Sequence, residues 1–294
     1  MTGFRLSWAR DRGERKAREH GFDTFPIDPF AIAESEEIMI CPKASDQVGV
    51  SGGIIFDPAG TAIFYATNID SRGFQRFTVA HELGHYFLEG HPEEITKLSP
   101  MHVSRAGFTQ GDISIEVEAD HFASGLLLPT TLVRRLLDRE RIGLEGIDAL
   151  AEQAQCSLTA CAIRAAECGT YPMAIVVSKG QEVRYSFMSD SFKKLGRLAF
   201  LRKGSALPST LTSRFNSDAS NVAAGKRAAD TTTLSHWFDG PRSVELDEQV
   251  VGLGSYGYTL TVLSGEALAD DPDEEEDEEA RLIESYTPRF AYGR

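Results

Sequence analysis

Residues 74–91 of the chain read FQRFTVAHELGHYFLEGH, and this stretch sets the expectations for the rest of the sequence. Its apolar residues recur with the spacing of an amphipathic α-helix, and Gly90 stands where a helix C-terminus is expected. His81 and His85 are four residues apart, so both imidazoles project from one face of that helix, about one turn apart. Two neutral imidazole nitrogens in this arrangement can bind one Zn²⁺ ion at roughly 2.0–2.1 Å. The stretch therefore predicts a helix that binds a metal ion.

Glu82 follows the first of these histidines directly. From that position its carboxylate can reach a water molecule at the metal rather than the metal itself, and it can take a proton as the water attacks a carbonyl group. The alternative is a helix that carries two surface histidines by chance. The pattern favours a catalytic site with His81 and His85 as ligands and Glu82 as general base.

Two histidines leave a tetrahedral catalytic site one protein ligand short. A second helix is predicted from Ile113 to Leu128, and its acidic residues Glu116 and Asp120 share one face. A carboxylate from this helix would complete a His₂Glu site, and Asp120 could accept a hydrogen bond from the outer nitrogen of a ligand histidine. Glu118 lies on another face of the same helix.

Other assignments stay open on the residues alone. Glu116 and Glu118 could be solvated acids at a helix start, where the helix dipole favours negative charge. His91 follows the helix end too closely to turn back easily, and His121 faces elsewhere on its helix. The remaining possible third ligand is His102, which falls in a polar loop predicted for residues 93–112.

The segments RFTVAHELGHYFL (residues 76–88) and EVEADHFASGLLLP (residues 116–129) together resemble the ImmA/IrrE family of bacterial zinc metallopeptidases. The resemblance implies that His81, His85 and Glu116 bind Zn²⁺ and that Glu82 is the base. It favours Glu116 over Glu118, because the family's ligand is the first Glu of its Glu-x-x-Ala-Asn/Asp element. It also implies a gluzincin-like minimal peptidase fold, in which an edge strand pairs with the extended substrate. The strand predicted at residues 62–67 is the expected edge strand.

The resemblance further implies a zinc-dependent endopeptidase that cleaves a helix-turn-helix repressor protein and so relieves repression in a stress, mobile-element or toxin–antitoxin response. One alternative is a regulator that binds and sequesters such a repressor without cleaving it. A second alternative is a transcription factor that binds DNA through residues 147–168, which have the length of a helix-turn-helix unit. Arg164 is the lone basic residue of the second helix there, which disfavours DNA binding.

The pattern along the whole chain predicts an α+β protein. Residues 1–140 are expected to form a minimal zincin-like peptidase domain of helices with a small β-sheet, in which two apolar runs flanking Asp57-Pro58-Ala59-Gly60 predict a hairpin. Residues 141–169 are expected to form a helical connector, and residues 170–265 a smaller mixed α/β domain, for which analogy alone suggests a sensory role. Residues 190–204 of this domain carry five basic residues and some predicted helix. Residues 266–294 are expected to form an acidic, disordered tail.

Composition excludes several classes of protein. Hydrophobic residues make up 41% and charged residues 25% of the 294 residues, which is ordinary for a globular protein. Nine acidic residues at positions 270–279 account for much of the net charge of −14, which would otherwise be −5. This balance disfavours non-specific binding to nucleic acid or to acidic membranes. Four cysteines, the lack of an apolar run long enough to span a membrane, and an N-terminus without the apolar stretch of a signal peptide together predict a cytoplasmic location.

Overall fold

The computed structural model describes residues 2–43, 50–68, 71–105, 113–241, 244–254 and 257–265. These residues form two compact units, one made from residues 1–132 with 150–160 and the other from residues 133–149 with those that follow residue 160. Both units combine helices with a small sheet, so the predicted α+β class is confirmed. The segment boundaries predicted from the sequence stay a prediction, and the acidic tail lies outside the described residues.

The first unit holds the predicted metal helix together with most of the other long helices. Among the described residues, five helices lie in this unit: α1 (Thr2–Glu19), α2 (Pro29–Ser35), α3 (Arg72–Phe87), α4 (His91–Leu98) and α5 (Ile113–Leu127). Three further described helices include residues of both units: α6 (Thr130–Leu137), α7 (Leu144–Ala154) and α8 (Leu158–Cys168). In the described part of the chain, no helix is both long and apolar enough to cross a membrane.

A four-stranded sheet completes the first unit. Its strands are β1 (Met39–Lys43), β2 (Val50–Asp57), β3 (Gly60–Ala66) and β4 (Met101–Arg105), and their order across the sheet is β1-β3-β2-β4. β2 and β3 form the predicted hairpin, whose turn begins where Asp57 accepts a hydrogen bond from the Ala59 backbone N–H at 2.9 Å. β2 is antiparallel to both of its neighbours, whereas β1 and β3 run parallel.

Two expectations about this region are wrong. The strand expected at residues 62–67 to be an edge strand is β3, which is paired on both sides, so the edges of the described sheet are β1 and β4. The predicted polar loop at residues 93–112 is instead the helix α4 and the strand β4 as far as the structure describes it. The apolar residue Ile95 is buried on α4, and residues 101–105 find a pairing partner in β2, which local composition does not reveal.

Close helix crossings hold the core of the first unit together. A Cβ atom at Gly13 of α1 would collide with the Phe122 backbone of α5, and one at Gly125 of α5 would collide with the Arg10 backbone of α1. A Cβ atom at Gly84 of α3 would lie 3.0 Å from the Ala119 Cα atom of α5. The absence of side chains at these points lets α5 pack tightly between α1 and α3.

The second unit is built on a five-stranded antiparallel sheet with the order β6-β5-β9-β8-β7. A hairpin with its tip at Lys179-Gly180 is formed by β5 (Met173–Lys179) and β6 (Glu182–Met188). The remaining elements are α9 (Asp190–Lys193), α10 (Leu211–Asn216), α11 (Ala219–Ala223), β7 (Arg227–Thr233), α12 (Leu234–Phe238), β8 (Glu245–Gly252) and β9 (Tyr258–Ser264).

The core that packs on this sheet contains Trp237 and Phe238. Of the basic segment at residues 190–204, only α9 is helical, because Gly196 adopts a positive φ of 152° soon after it. The five basic residues lie on the surface, and Lys193 pairs with Asp190 at 2.9 Å.

Candidate metal centre

Helix α3 carries the two histidines that the sequence singled out. It begins after Ser71, whose hydroxyl caps the Phe74 backbone N–H at 3.4 Å, and its second half is buried. One helical turn separates His81 from His85, and their Nε2 atoms lie 3.2 Å apart. The helix therefore presents both imidazoles toward one point inside the first unit.

Helix α5 brings a carboxylate to the same point. The close approach of Gly84 and Ala119 places Glu116 Oε2 3.5 Å from His81 Nε2 and Glu116 Oε1 3.2 Å from His85 Nε2. One nitrogen from each histidine and one oxygen from Glu116 all lie within 4.8 Å of one another, which is close enough for this group to hold a metal ion.

Asp120 lies on the outer side of the His81 ring. Its Oδ1 atom is 2.8 Å from His81 Nδ1. An ionised carboxylate only accepts hydrogen bonds, so His81 Nδ1 carries the proton and donates it. This contact fixes the ring of His81 with its Nε2 atom toward Glu116 and His85, as a carboxylate behind a metal-binding histidine commonly does.

The polar atoms of the cluster fit a bound cation. Two Nε2 atoms that face each other at 3.2 Å beside a carboxylate are stable only when a proton or a cation lies among them. Glu116 Oε1 is buried and has no aligned hydrogen-bond donor, although nitrogens surround it. Two imidazole nitrogens and one carboxylate oxygen are a donor set that suits Zn²⁺ with one position open for water or substrate.

The pKa values in the cluster follow from burial and from the neighbouring charges. Burial would lower the pKa of His81, but Asp120 and Glu116 outweigh it and hold this pKa well above its usual value. Burial lowers the pKa of His85 to about 3, so this imidazole is neutral. Burial alone would raise the pKa of Glu116, but the imidazoles of His102, His81 and His85 outweigh it and keep the carboxylate ionised.

Glu82 is completely buried beside the cluster, and neither of its carboxylate oxygens has a well-aligned hydrogen-bond partner, although the Ser104 hydroxyl is near enough to act on its pKa. Burial raises its pKa to about 7, while the nearby imidazoles of His81 and His102 act in the opposite direction. A carboxylate with this pKa can both accept and return a proton near neutral pH.

His102 approaches the cluster from the sheet. It lies on the edge strand β4, with its Nε2 atom 2.8 Å from Glu116 Oε1 and its ring centroid 4.6 Å from that of His85. Burial would lower the pKa of His102, but Glu116 outweighs it and raises this pKa. The sequence left His102 open as a third ligand. It lies outside the group of mutually close ligand atoms and contacts Glu116 instead.

Glu118 and His91 differ from what the sequence suggested. Glu118 is not a solvated acid at a helix start. It is buried and accepts hydrogen bonds from Nε and Nη2 of Arg5, each with an N–O distance of 2.7 Å. Burial would raise its pKa, but Arg5 and His91 outweigh it and lower the pKa. His91 does turn back, because Gly90 has a positive φ of 92° and starts α4 toward the site.

His121 faces away from the cluster, as expected, and contacts Arg10 at 3.0 Å. Sequence reasoning missed Arg5, which is 113 residues from its partner Glu118. No spacing rule connects residues so far apart, and only the crossing of α1 and α5 brings them together.

Comparisons with known proteins concern the family and the fold. A family model described as the IrrE N-terminal-like domain, a peptidase family, matches residues 33–166. Among solved structures, the chain is similar to a Mycobacterium tuberculosis transcriptional regulator, with 13% identity and a TM-score of 0.52, covering 87% of this chain and 76% of that chain. At this identity the likeness concerns the fold. No curated protein matches the chain. Residues 33–166 therefore match the model of the IrrE N-terminal-like domain family, which is the family that the sequence resembles.

Proposed function

We propose that the protein is a zinc-dependent endopeptidase whose substrate is another protein. The observation that carries this proposal is the position of Glu82, a fully buried carboxylate without a well-aligned hydrogen-bond partner beside His81, His85 and Glu116. Leaving a buried carboxylate unpaired is unfavourable, and a purely structural metal site has no use for it. A general base that must exchange a proton with water and substrate explains why this arrangement is kept.

Each residue has a separate task in the proposed reaction. His81, His85 and Glu116 hold the zinc ion, which when bound polarises the scissile carbonyl and lowers the pKa of water. Glu82 removes a proton from the attacking water and passes it toward the leaving amine. Asp120 keeps His81 in the tautomer that directs Nε2 inward.

The free edge of β4 is the surface along which we place the substrate backbone. Of the two edges of the described sheet, β1 includes Pro42, which has no N–H group to offer a pairing strand. β4 has no proline and carries His102, whose imidazole touches Glu116. A peptide paired with β4 would therefore run next to the metal centre.

The proposed substrate class is a helix-turn-helix repressor. The family resemblance supports this class, and the solved relative is named as a transcriptional regulator. DNA binding by the chain itself finds less support, because Arg164 of α8 is buried and pairs with Glu167 at 3.1 Å, where it cannot reach a base edge. We also propose that the protein acts in the cytoplasm, where such repressors work.

The test replaces Glu82 with Gln and compares three properties of the purified protein. Glu82→Gln should keep about one zinc ion per chain, because Glu82 is not a ligand, and should still bind a co-expressed candidate repressor. Cleavage of the repressor, measured by sizing its fragments on a gel, should fall by about 10²–10⁴-fold.

The matched control is Glu89→Gln, which changes an exposed carboxylate just after α3 and should cleave like the wild type. If wild type and Glu82→Gln inactivate the repressor equally and neither produces fragments, the protein works by sequestration and the proposal is wrong.

A further inference from the structure

The outer nitrogen of His85 faces a series of three further side chains. His85 Nδ1 lies 3.1 Å from His91 Nδ1, and His91 Nε2 lies 3.2 Å from Glu118 Oε2. Glu118 in turn accepts two hydrogen bonds of 2.7 Å from Arg5 Nε and Nη2. Residues from α3, α4, α5 and α1 thus form one continuous hydrogen-bonded series that ends at a candidate metal ligand.

Most of this series is buried. His85 and His91 have no exposed surface and Glu118 is only 2% exposed, whereas about half of the Arg5 side chain is exposed. A buried carboxylate is tolerated when it is paired with a cation and its oxygens are hydrogen-bonded. The two-pronged contact with Arg5 supplies both conditions and also fixes the plane of the carboxylate.

The donors and acceptors of the series can be assigned in one direction. Glu118, ionised by its pairing with Arg5, only accepts hydrogen bonds, so His91 Nε2 must donate to it. A neutral His91 then offers Nδ1 as an acceptor, and His85 Nδ1 must carry the hydrogen between them. His85 Nε2 is left as a lone pair directed at Glu116 and His81.

We propose that Arg5, Glu118 and His91 are positioning residues that fix the tautomer and the ring orientation of His85 for metal binding. The proposal rests on the proposed function, since it concerns the same metal centre. His81 receives this support directly from one carboxylate, whereas His85 receives it through a second imidazole. The series also makes α1, which precedes the matched residues 33–166, part of the metal centre.

The fold provides the geometry that the series requires. Gly90 occupies the left-handed region at a φ of 92°, and this sharp turn places His91 at the start of α4 next to His85. Gly13 and Gly125 let α1 approach α5 closely enough for Arg5 to reach Glu118. The contact between His85 and His91 therefore depends on the turn at Gly90, and the contact between Arg5 and Glu118 depends on the close approach of α1 and α5.

The experiment measures zinc affinity of the full chain by competition with a chromophoric chelator. His91→Phe removes the acceptor of His85 Nδ1 with little change in size, and Arg5→Gln removes the cation at the half-exposed end, where folding is least disturbed. Both variants should bind zinc 10–100-fold more weakly than the wild type, the range typical of groups that orient metal ligands. Glu93→Gln, which changes an exposed acid on α4, is the matched control and should bind zinc like the wild type.

A spectroscopic measurement separates positioning from general stability. With Co²⁺ in place of zinc, the ligand-field absorption bands of both variants should shift, because His85 rotates relative to the metal. In the zinc protein, imidazole N–H resonances for His81, His85 and His91 should be protected from exchange with water, and those of His85 and His91 should be lost in Arg5→Gln.

The outcomes distinguish this proposal from the proposed function. If the wild type binds no zinc, or if His85→Gln binds zinc as tightly as the wild type, the metal centre itself is wrong. If His85→Gln loses zinc while His91→Phe and Arg5→Gln keep wild-type affinity and Co²⁺ spectra, only the positioning role is overturned. Weaker binding in either folded variant, with shifted Co²⁺ bands, supports it.

Discussion

At the scale of single residues, the metal centre depends on where each imidazole proton lies. His81 donates from Nδ1 to Asp120, and its raised pKa favours a second proton on Nε2 in the metal-free protein. His85 has a pKa of about 3 and is already neutral. Zinc binding must therefore displace one proton, and that proton belongs to His81.

Zinc affinity should rise with pH for this reason. Below the raised pKa of His81, a proton competes with zinc for Nε2, so the affinity in that range should increase by up to about tenfold for each unit of pH. Above that pKa the dependence should level off. Chelator competition at several pH values measures this slope, and an affinity that does not change with pH would contradict the assignment of the proton to His81.

Glu116 and Glu118 should behave differently when each is replaced by Gln. Glu116 belongs to the group of ligand atoms, so Glu116→Gln should lose its zinc on dialysis against a mild chelator. Glu118 supports His85 only through His91, so Glu118→Gln should keep measurable binding that is about 10–100-fold weaker than in the wild type. Metal analysis after dialysis checks the order, and tighter binding by Glu116→Gln than by Glu118→Gln would reverse the assignment.

At the scale of elements, the distance between α3 and α5 decides whether Glu116 reaches the histidines. A Cβ atom at Gly84 would lie 3.0 Å from Ala119 Cα and 3.2 Å from its Cβ atom, so the helices would have to separate by a few tenths of an ångström. The geometry of the metal centre thus depends on the contact between Gly84 and Ala119, where Gly84 has no side chain to keep the helices apart.

Gly84→Ala should lower the free energy of unfolding by about 1–3 kcal/mol through overpacking and should weaken zinc binding as well. Gly73→Ala in the same helix is the matched control, because its nearest neighbour would be 3.4 Å away and alanine favours a helix. Chemical denaturation and chelator competition measure the two effects. Equal stability and zinc affinity in the two variants would show that the Gly84 contact does not set the helix spacing.

The free edge of β4 can be tested through its backbone. Phe56 N donates to Pro100 O at 2.8 Å, so the alternation of an antiparallel ladder turns the His102 backbone toward β2 and the Val103 N–H toward the free edge. Val103→Pro removes that N–H without removing a bond to β2. Repressor cleavage should fall by about tenfold, the effect of one lost hydrogen bond, while zinc content stays unchanged.

Val103→Ala keeps the N–H and serves as the control for loss of the side chain. Cleavage by Val103→Ala should stay close to that of the wild type. A similar loss in both variants would argue against backbone pairing of the substrate with β4.

At the scale of the whole molecule, zinc should stabilise the folded chain, because the ligands come together only in the native state. With free zinc at about a thousand times its dissociation constant, the stabilisation should be about 4 kcal/mol. Thermal unfolding with zinc and with EDTA should therefore differ in wild type, and the difference should vanish in His85→Gln. A zinc effect of equal size in that variant would place the stabilising metal elsewhere.

The sequence by itself determined the elements whose signals are local. The apolar spacing in residues 74–91 predicted the helix α3, two apolar runs around a turn predicted the β2–β3 hairpin, and the α+β class followed from the succession of elements. These predictions were right because helix faces, strand alternation and turn chemistry depend on residues only a few positions apart.

Only the tertiary structure decided which distant residues meet. It placed β3 inside the sheet rather than at its edge, returned His91 to His85, and joined Arg5 to Glu118 across 113 positions of sequence. Strand order and helix crossings depend on the packing of whole surfaces and on close approaches such as Gly13 with Phe122. No local spacing encodes these contacts, because they depend on how each element packs against others far away in the chain.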